Sequence, residues 1–395
     1  MLALSKLLED GGHEVIPFAM EHPRNLATPY SRYFVSEIDF PELLRTSSPR
    51  AAWKVVARSI YNGEARRKIA SLADEAKPDI AHFHNIHAHL TASIITPLRK
   101  RSIPIVWTLH DYRLICPNTS LLSKGEICER CIPNRFYEAI LQRCKKGSFP
   151  ASFLAMLTTL YDRYARVPTR IDRFITPSDF LRRKLIQGGF DPARVESVPN
   201  FVDLESHAGL PEKDYFCYLG RLSHEKGLDM LIRAVAKIDK GRLLIVGQGP
   251  EEENLKRLTA ELGARRVEFA GYKSGAELTR ILAESQFVVL PSRWYENLPF
   301  AVMEAFASSK AVVASAIGGI PEMVDDGVNG FLFPMGNVDA LAGRLEKMLA
   351  DRDLREKMGR RAREKAEKLY RRDGHYERIM AIYREVTAAK AAKGS

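Results

Sequence analysis

Two glutamates, Glu296 and Glu304, frame the segment Glu296-Asn-Leu-Pro-Phe-Ala-Val-Met-Glu304. It follows an apolar run, Phe287–Leu290, and the turn Pro291-Ser292. Asn297 suits a helix cap and Pro299 suits the first turn of that helix. Over such a helix the two carboxylates would be separated by a rise of about 12 Å. Two carboxylates that cleave one glycosidic bond stand roughly 5 to 9.5 Å apart. The spacing therefore predicts that the two grip different parts of one long ligand. Between them, the helix N-terminus offers amide N–H groups and a positive dipole end to a phosphate. The plainer reading is an amphipathic helix with two solvated glutamates.

A second constellation is Leu219-Gly220-Arg221-Leu-Ser-His-Glu-Lys226-Gly227. Gly220 and Gly227 permit tight turns or close approach to a ligand. Arg221 and Lys226 bring two cations to one loop, where they could stabilise a departing diphosphate. Three further glycine motifs recur in the same half: Gly247-Gln-Gly249-Pro250, Phe269-Ala-Gly271-Tyr272 and Gly318-Gly-Ile-Pro-Glu322. Each is unremarkable alone. Five together, each placed after a strand-like run, point to one phosphate-bearing ligand.

Alternating strand and helix patterns must position these loops, and the alternation predicts α/β units with parallel sheets. In the first half, Leu2, Leu4, Leu7 and Leu8 mark a helix face that Gly11-Gly12 ends. Strands are expected at Val15–Phe18, Ile80–His84, Ile105–His110, Arg173–Thr176 and Val195–Val198. In the second half they are expected at Tyr215–Leu219, Leu243–Val246, Val267–Phe269, Phe287–Leu290, Val312–Ala314 and Phe331–Phe333. The intervening helices are Leu228–Ile238, Glu252–Leu262, Ala276–Ala283, Pro299–Ser308 and Val338–Leu349. Asp203–Asp214 reads as a linker. The division is 1–205 for an acceptor-binding domain, 206–375 for a donor-binding domain, and 376–395 for a helical tail that packs back on the first domain. Ligands of doubly wound sheets bind beyond the C-terminal strand ends, so two facing domains suit a reaction that joins two substrates.

The ordered motifs, with Asn329-Gly-Phe-Leu332 added, resemble the retaining GT-B glycosyltransferases of family four over nearly the whole chain. The resemblance implies two facing Rossmann-like domains with a cleft between them. It implies an enzyme that moves a sugar from a nucleotide-diphosphate donor to a glycan or lipid-linked acceptor, in polysaccharide or glycoconjugate biosynthesis. In that reading Gly220, Arg221, Lys226 and Gly247 meet the donor diphosphate, Glu304 holds the ribose, and Gly271 lies at the base. Glu296 and the amides of Asn297 and Leu298 contact the sugar. His110, in Thr108-Leu-His-Asp111, touches the reacting carbon. The implied step is a front-face displacement that retains anomeric configuration and requires no cofactor or metal at the donor. The family opens with a strand and a glycine-rich loop before the helix seen here at Leu2, so a longer natural form is expected. A non-catalytic nucleotide-sugar-binding subunit, a GT-B sugar-nucleotide epimerase and a phosphorylase are the alternatives. The first follows from the short start, the others from the shared architecture.

The formal charge of +11 favours anionic partners. No aromatic-plus-basic nucleic-acid module stands out, so no nucleic-acid partner is expected. No apolar run reaches the roughly 20 residues of a membrane span, and no signal peptide is read, so a cytoplasmic location is expected. Cys116, Cys128, Cys131 and Cys144 form C-x11-C-x2-C-x12-C, which resembles a structural zinc site; free thiols and disulfides are the other readings. His82, His84, His87 and His89 read as polar cleft lining rather than as a metal cluster. Phe153, Leu154, Met156, Leu157, Leu160 and Tyr161, followed by Arg163, Arg166, Arg170 and Arg173, could rest on the cytoplasmic face of an anionic membrane or face a core.

Overall fold

A computed structural model describes residues 2–37, 56–87, 89–204 and 210–394. Among the described residues the twelve strands are β1 (Ala81–His84), β2 (Ile105–Thr108), β3 (Leu122–Ser123), β4 (Glu126–Ile127), β5 (Arg173–Thr176), β6 (Val195–Ser197), β7 (Phe216–Leu219), β8 (Leu243–Val246), β9 (Val267–Gly271), β10 (Val288–Leu290), β11 (Val312–Ser315) and β12 (Gly330–Phe333). In the first half the α-helices are α1 (Leu2–Asp10), α2 (Gly63–Ala76), α3 (Ile95–Lys100), α4 (Glu138–Leu141), α5 (Phe149–Tyr164), α6 (Val167–Arg170) and α7 (Asp179–Gln187). In the second they are α8 (Leu228–Lys237), α9 (Glu252–Glu261), α10 (Gly275–Glu284), α11 (Phe300–Ala307), α12 (Ile320–Met323), α13 (Val338–Ala350), α14 (Arg352–Leu369) and α15 (Arg372–Gly394).

The strands form because they are short runs of Val, Ile, Leu and Phe that helices cover on both faces, as parallel sheets require. The first sheet runs β1-β2-β5-β6 and the second β12-β11-β10-β7-β8-β9; every neighbouring pair in both is parallel. The four residues of β2 are buried, as are the four of β7 and of β11. In the second sheet the order reverses between β7 and β10. The loops that leave those two strands therefore open a crevice, and they are the two motif loops of the sequence.

Val15–Phe18 carries no strand. A strand exists only through its ladder, and among the described residues this stretch has no neighbour; the nearest pairing is the isolated bridge Met20↔Val35. The other expected strands form within a residue or two of their expected ends. The expected domain boundary at 205/206 lies outside the described residues.

The last helix crosses back to the first sheet. Ile379, Ile382, Tyr383 and Val386 bury themselves with Val106, Ile175 and Val198, and the Tyr383 hydroxyl meets His82 Nδ1 at 2.6 Å. The chain thus passes between the two sheets twice, and the passages run side by side. The Val202 amide donates to the Tyr370 carbonyl at 3.0 Å, and His375 Nδ1 meets the Pro199 carbonyl at 2.8 Å.

Candidate active site

A cavity of about 790 Å³ opens at the C-terminal ends of β7, β8 and β9. Gly220 and Arg221 form part of its wall, with Gly247, Gln248 and Gly249, then Tyr272, then Phe300 and Glu304 of α11. The sequence motifs converge here because each is the loop that leaves one strand of the same sheet. Gly247 lets two of these loops interlock. Its φ is +142°, and a Cβ there would stand 1.8 Å from the Gly220 carbonyl oxygen. Its amide donates to the Gly271 carbonyl at 2.8 Å, so the turn after β8 is tied to the end of β9.

Arg221 is exposed on this wall and has no ion-pair partner among the described residues. Glu304 lies half-buried on the opposite element, without a hydrogen bond or ion pair to its carboxylate among the described residues. Burial raises its pKa. A half-buried carboxylate without donors is costly unless a ligand supplies them. The cavity thus presents a free cation and a free carboxylate to one ligand. Tyr272 and Phe300 are both more than half exposed and offer aromatic faces at its rim. Neither was singled out in the sequence, although each directly follows or sits within a motif.

Lys226 and Glu296 serve each other instead. Lys226 Nζ donates to Glu296 Oε1 at 2.7 Å, and Ser292 Oγ donates to the same oxygen at 2.6 Å. Glu296 is only 5% exposed, and Lys226 also lies over the Trp294 ring, 5.1 Å from its centroid. The pair stitches the loop after β7 to the loop after β10. The expected capping role of Asn297 is not what forms. Pro299 occupies the N-cap position of α11 and makes no side-chain cap bond. Proline fixes the entry into the helix, which leaves the Asn297 side chain free to cross to the first domain. There its Oδ1 accepts from Ser178 Oγ, and its Nδ2 reaches the His110 carbonyl at 3.5 Å. Only Glu304 of the two glutamates lies on the helix, and Leu298 is buried just before it.

His110 follows β2 on the opposite side of the cleft. Its ring stacks on His84, with centroids 5.3 Å apart, and its Nε2 meets His84 Nδ1 at 2.9 Å. His110 is exposed as a residue, yet the protein around it desolvates the imidazole and lowers its pKa. It is therefore poised as a neutral group. His82 is held between Tyr383 and Thr108 Oγ1, the latter at 2.7 Å. Among the described residues no group of three or more His, Cys, Asp or Glu side chains stands in an arrangement that holds a metal ion. His82 is engaged with two hydroxyls and His84 with His110.

Several cross-cleft contacts were not legible in the sequence. Tyr295, directly before Glu296, donates its hydroxyl to Glu129 Oε1 at 2.6 Å. Lys184 Nζ donates to the same oxygen at 2.7 Å. Burial alone would raise the Glu129 pKa, but these two hydrogen bonds outweigh it and hold the carboxyl below its ordinary range. The Tyr112 hydroxyl donates to the Tyr295 carbonyl at 3.2 Å, and Glu322 of the Gly-Gly-x-Pro-Glu motif accepts from the Asp179 amide at 2.9 Å. Glu129 lies between Cys128 and Cys131, so the cysteine-bearing loop meets the motif-bearing domain directly.

The model of the family described as "Glycosyl transferases group 1" matches residues 203–365, and that of "Glycosyltransferase Family 4" matches 1–206. The chain is 37% identical to the sulfoquinovosyl transferase of Arabidopsis thaliana over 40% of its own length and 31% of the relative's. It is 31% identical to the D-inositol 3-phosphate glycosyltransferase of Mycobacterium ulcerans, over 70% of its own length and 58% of the relative's. The chain thus spans between about a third and three-fifths of such curated relatives. Among solved structures it is similar to sucrose-phosphate synthase of Thermosynechococcus elongatus, with a TM-score of 0.71 at 19% identity over 98% and 92% of the two chains. It is also similar to HepE of Anabaena in complex with UDP, with a TM-score of 0.63 at 19% identity over 81% and 82%. These likenesses give the fold, which is GT-B: two Rossmann-like domains that face each other. With matched segments running from the first residue to 365, the chain belongs to glycosyltransferase family 4.

Proposed function

We propose that this chain transfers a sugar from a nucleotide-diphosphate donor to a glycan or lipid-linked acceptor with retention of anomeric configuration. The observation that carries the reading is the single cavity in which Arg221 and Glu304 both lie without a partner. The Arg221 guanidinium balances the diphosphate charge, which grows as the sugar–phosphate bond breaks, and the Lys226 ammonium joins it by leaving its bond to Glu296. Glu304 accepts hydrogen bonds from the ribose hydroxyls, the donors its half-buried carboxylate lacks. Tyr272 and Phe300 flank the base, next to the Gly271 backbone. Glu296 and the amides that follow it position the sugar. His110, neutral, hydrogen-bonds a sugar hydroxyl from the facing domain. The departing phosphate oxygen takes the proton of the incoming acceptor hydroxyl on the same face, so one bond forms where one breaks and no protein nucleophile is used. The arrangement needs no metal at the donor, because Arg221 and Lys226 supply the charge.

The same reading extends to the acceptor side. No described helix is long and apolar enough to cross a membrane. Helix α5 nevertheless carries an exposed stripe of Phe149, Phe153, Leu160 and Tyr164, while Met156 on its other face packs with Phe136 and Cys131. Arg143, Lys146 and Arg166 are exposed near its two ends. Such a stripe with cationic flanks fits the interface of an anionic membrane, where a lipid-linked acceptor resides. Flotation with vesicles that contain anionic lipid checks this contact; absence of binding at low salt removes it.

Donor binding is tested by titrating UDP- and GDP-linked sugars while melting temperature and slow nucleotide release are followed. A stabilising donor, with the effect lost in Glu304→Ala and in Arg221→Ala, names the base and fixes the site. A folded protein that responds to none overturns the reading.

A further inference from the structure

We propose that His84 is a positioning residue for the transfer step: it occupies Nε2 of His110, so that this ring is held in one orientation and offers Nδ1 alone to the substrate. The proposal rests on the reading of His110 as the group that meets the sugar, and it adds what sets that ring.

Strand register brings the two histidines together. β1 and β2 pair in parallel, with His82 opposite Val106 and His84 opposite Thr108. Side chains two residues apart lie on one face of a strand. Each histidine of β1 reaches diagonally along that face, to the residue two positions beyond its opposite number. His82 Nε2 meets Thr108 Oγ1 at 2.7 Å, and His84 Nδ1 meets His110 Nε2 at 2.9 Å. His84 is itself anchored. Its ring packs on that of His82, with centroids 4.4 Å apart, and His82 is bound at both nitrogens, by Thr108 and by Tyr383 of α15. The helix that returns from the second half of the chain thus backs the support of His110.

Both rings are neutral. Burial, then the nearness of His82 and His110, holds the His84 pKa below its ordinary value, and burial does the same for His110. Two neutral imidazoles carry one proton each. Only one proton fits between them, because two would collide and none would set two lone pairs against each other. If it sits on His84 Nδ1, His110 carries its own on Nδ1. If it sits on His110 Nε2, His84 carries its own on Nε2. Either way the two rings adopt the same tautomer, since the bond at one nitrogen sets the state of the other. A sugar hydroxyl both donates and accepts, so Nδ1 of His110 pairs with it in either state. What the bond removes is the freedom of the ring to flip and present Nε2. A functional side chain locked by a second residue holds the precision that a reacting geometry requires.

The first test needs no substrate. The full chain is labelled with ¹⁵N-histidine, and long-range ¹H–¹⁵N spectra are recorded at mildly alkaline pH. His84→Asn and His110→Asn each remove one ring and so assign the signals. The expected result is a single, shared tautomer for the two rings, with a scalar coupling across the N–H···N bond. Opposite tautomers, a ring that averages between two, or absence of the coupling overturns the proposal. The second test uses whichever UDP- or GDP-linked sugar the protein slowly cleaves. The donor is gripped from the other domain by Arg221 and Glu304. His84→Leu should therefore lower kcat for nucleotide release about tenfold or more, with a smaller change in donor KM. His84→Asn, whose amide offers a donor or an acceptor near the place of Nδ1, should recover most of the loss. An unchanged kcat in His84→Leu overturns the positioning role, as does an equal loss in both variants. A protein that cleaves no donor sinks the transfer reading, while the ring pair stands or falls on the spectrum.

Discussion

The two halves of this chain present their chemistry in opposite ways. In the second half the candidate site is a set of strand ends: the loops after β7, β8, β9 and β10 each carry a short motif, and a single sheet gathers them. In the first half the residues that reach the cleft are scattered. Glu129 sits in a cysteine-bearing loop, Ser178 caps α7 and Lys184 lies on it, and His110 lies beyond β2. Their partners lie far along the sequence: Tyr295 meets Glu129 from 166 residues away, and Asn297 meets Ser178 from 119 away. A sheet that registers its own strand ends writes its site into local sequence. A surface that meets another domain does not.

The contrast can be broken most sharply at the interlocked loops. Gly247→Ala forces a Cβ to within 1.8 Å of the Gly220 carbonyl at a φ of +142°, and its expected cost is about 4 kcal/mol or more in urea denaturation. Gly271→Ala, at a φ of +69° with open space around it, should cost only about 1 kcal/mol. Equal costs would mean that the strand ends do not lock.

Acid should attack the first half before the second. His82 keeps its neutral form because burial, then His375 and His110, lower its pKa from 6.5 to about 3. The unfolded chain takes up the proton near 6.5 and the native state refuses it until about 3. This contribution is complete above pH 6.5 and is lost as pH falls toward 3, with a slope of up to about 1.4 kcal/mol per pH unit. His82→Asn should flatten the slope measured by denaturation across that window.

Glu304→Ala should weaken donor binding by about 2 kcal/mol, roughly thirtyfold, without loss of fold. Because burial raises the Glu304 pKa, donor affinity in the native protein should fall on the acid side at a pH above the ordinary glutamate range, and this shoulder should vanish in Glu304→Gln. Calorimetric titration reads both. The smallest effect is expected from Glu129→Gln, which weakens the bonds from Tyr295 and Lys184. About 1 kcal/mol should be lost in stability, with donor affinity altered less than by Glu304→Ala. The reverse order would place the binding determinants in the first half.

The parallel α/β architecture was legible because buried strands are short apolar runs and helices carry periodic faces. Arg173–Thr176 forms between the residues expected, and Leu243–Val246 does too. Val15–Phe18 is as apolar, but Pro17 lacks an N–H to give to a ladder and the stretch has no ladder partner among the described residues. Around the candidate site, Gly220, Arg221, Gly247 and Glu304 fall in one cavity. The local rule failed at Asn297, a good cap by residue type. The proline two positions later takes over the helix start, and a serine from the other domain claims the amide. The Lys226–Glu296 pair escaped the sequence reading for a related reason: each charge was assigned to a ligand, while the shortest route to neutrality was the other.

The paired crossings near Val202 and Tyr370 have a mechanical consequence. A single linker would allow one lobe to swing, twist and slide. Two crossings joined by the Val202–Tyr370 hydrogen bond, and clasped by His375 on Pro199, act as a hinge pin with one stiff axis. Sliding would break both crossings at once, so rotation about the pin is the soft mode. The far lip of the cleft then travels farthest for a given angle. The Glu129–Tyr295 contact spans that cleft, so rotation about the pin would have to break it.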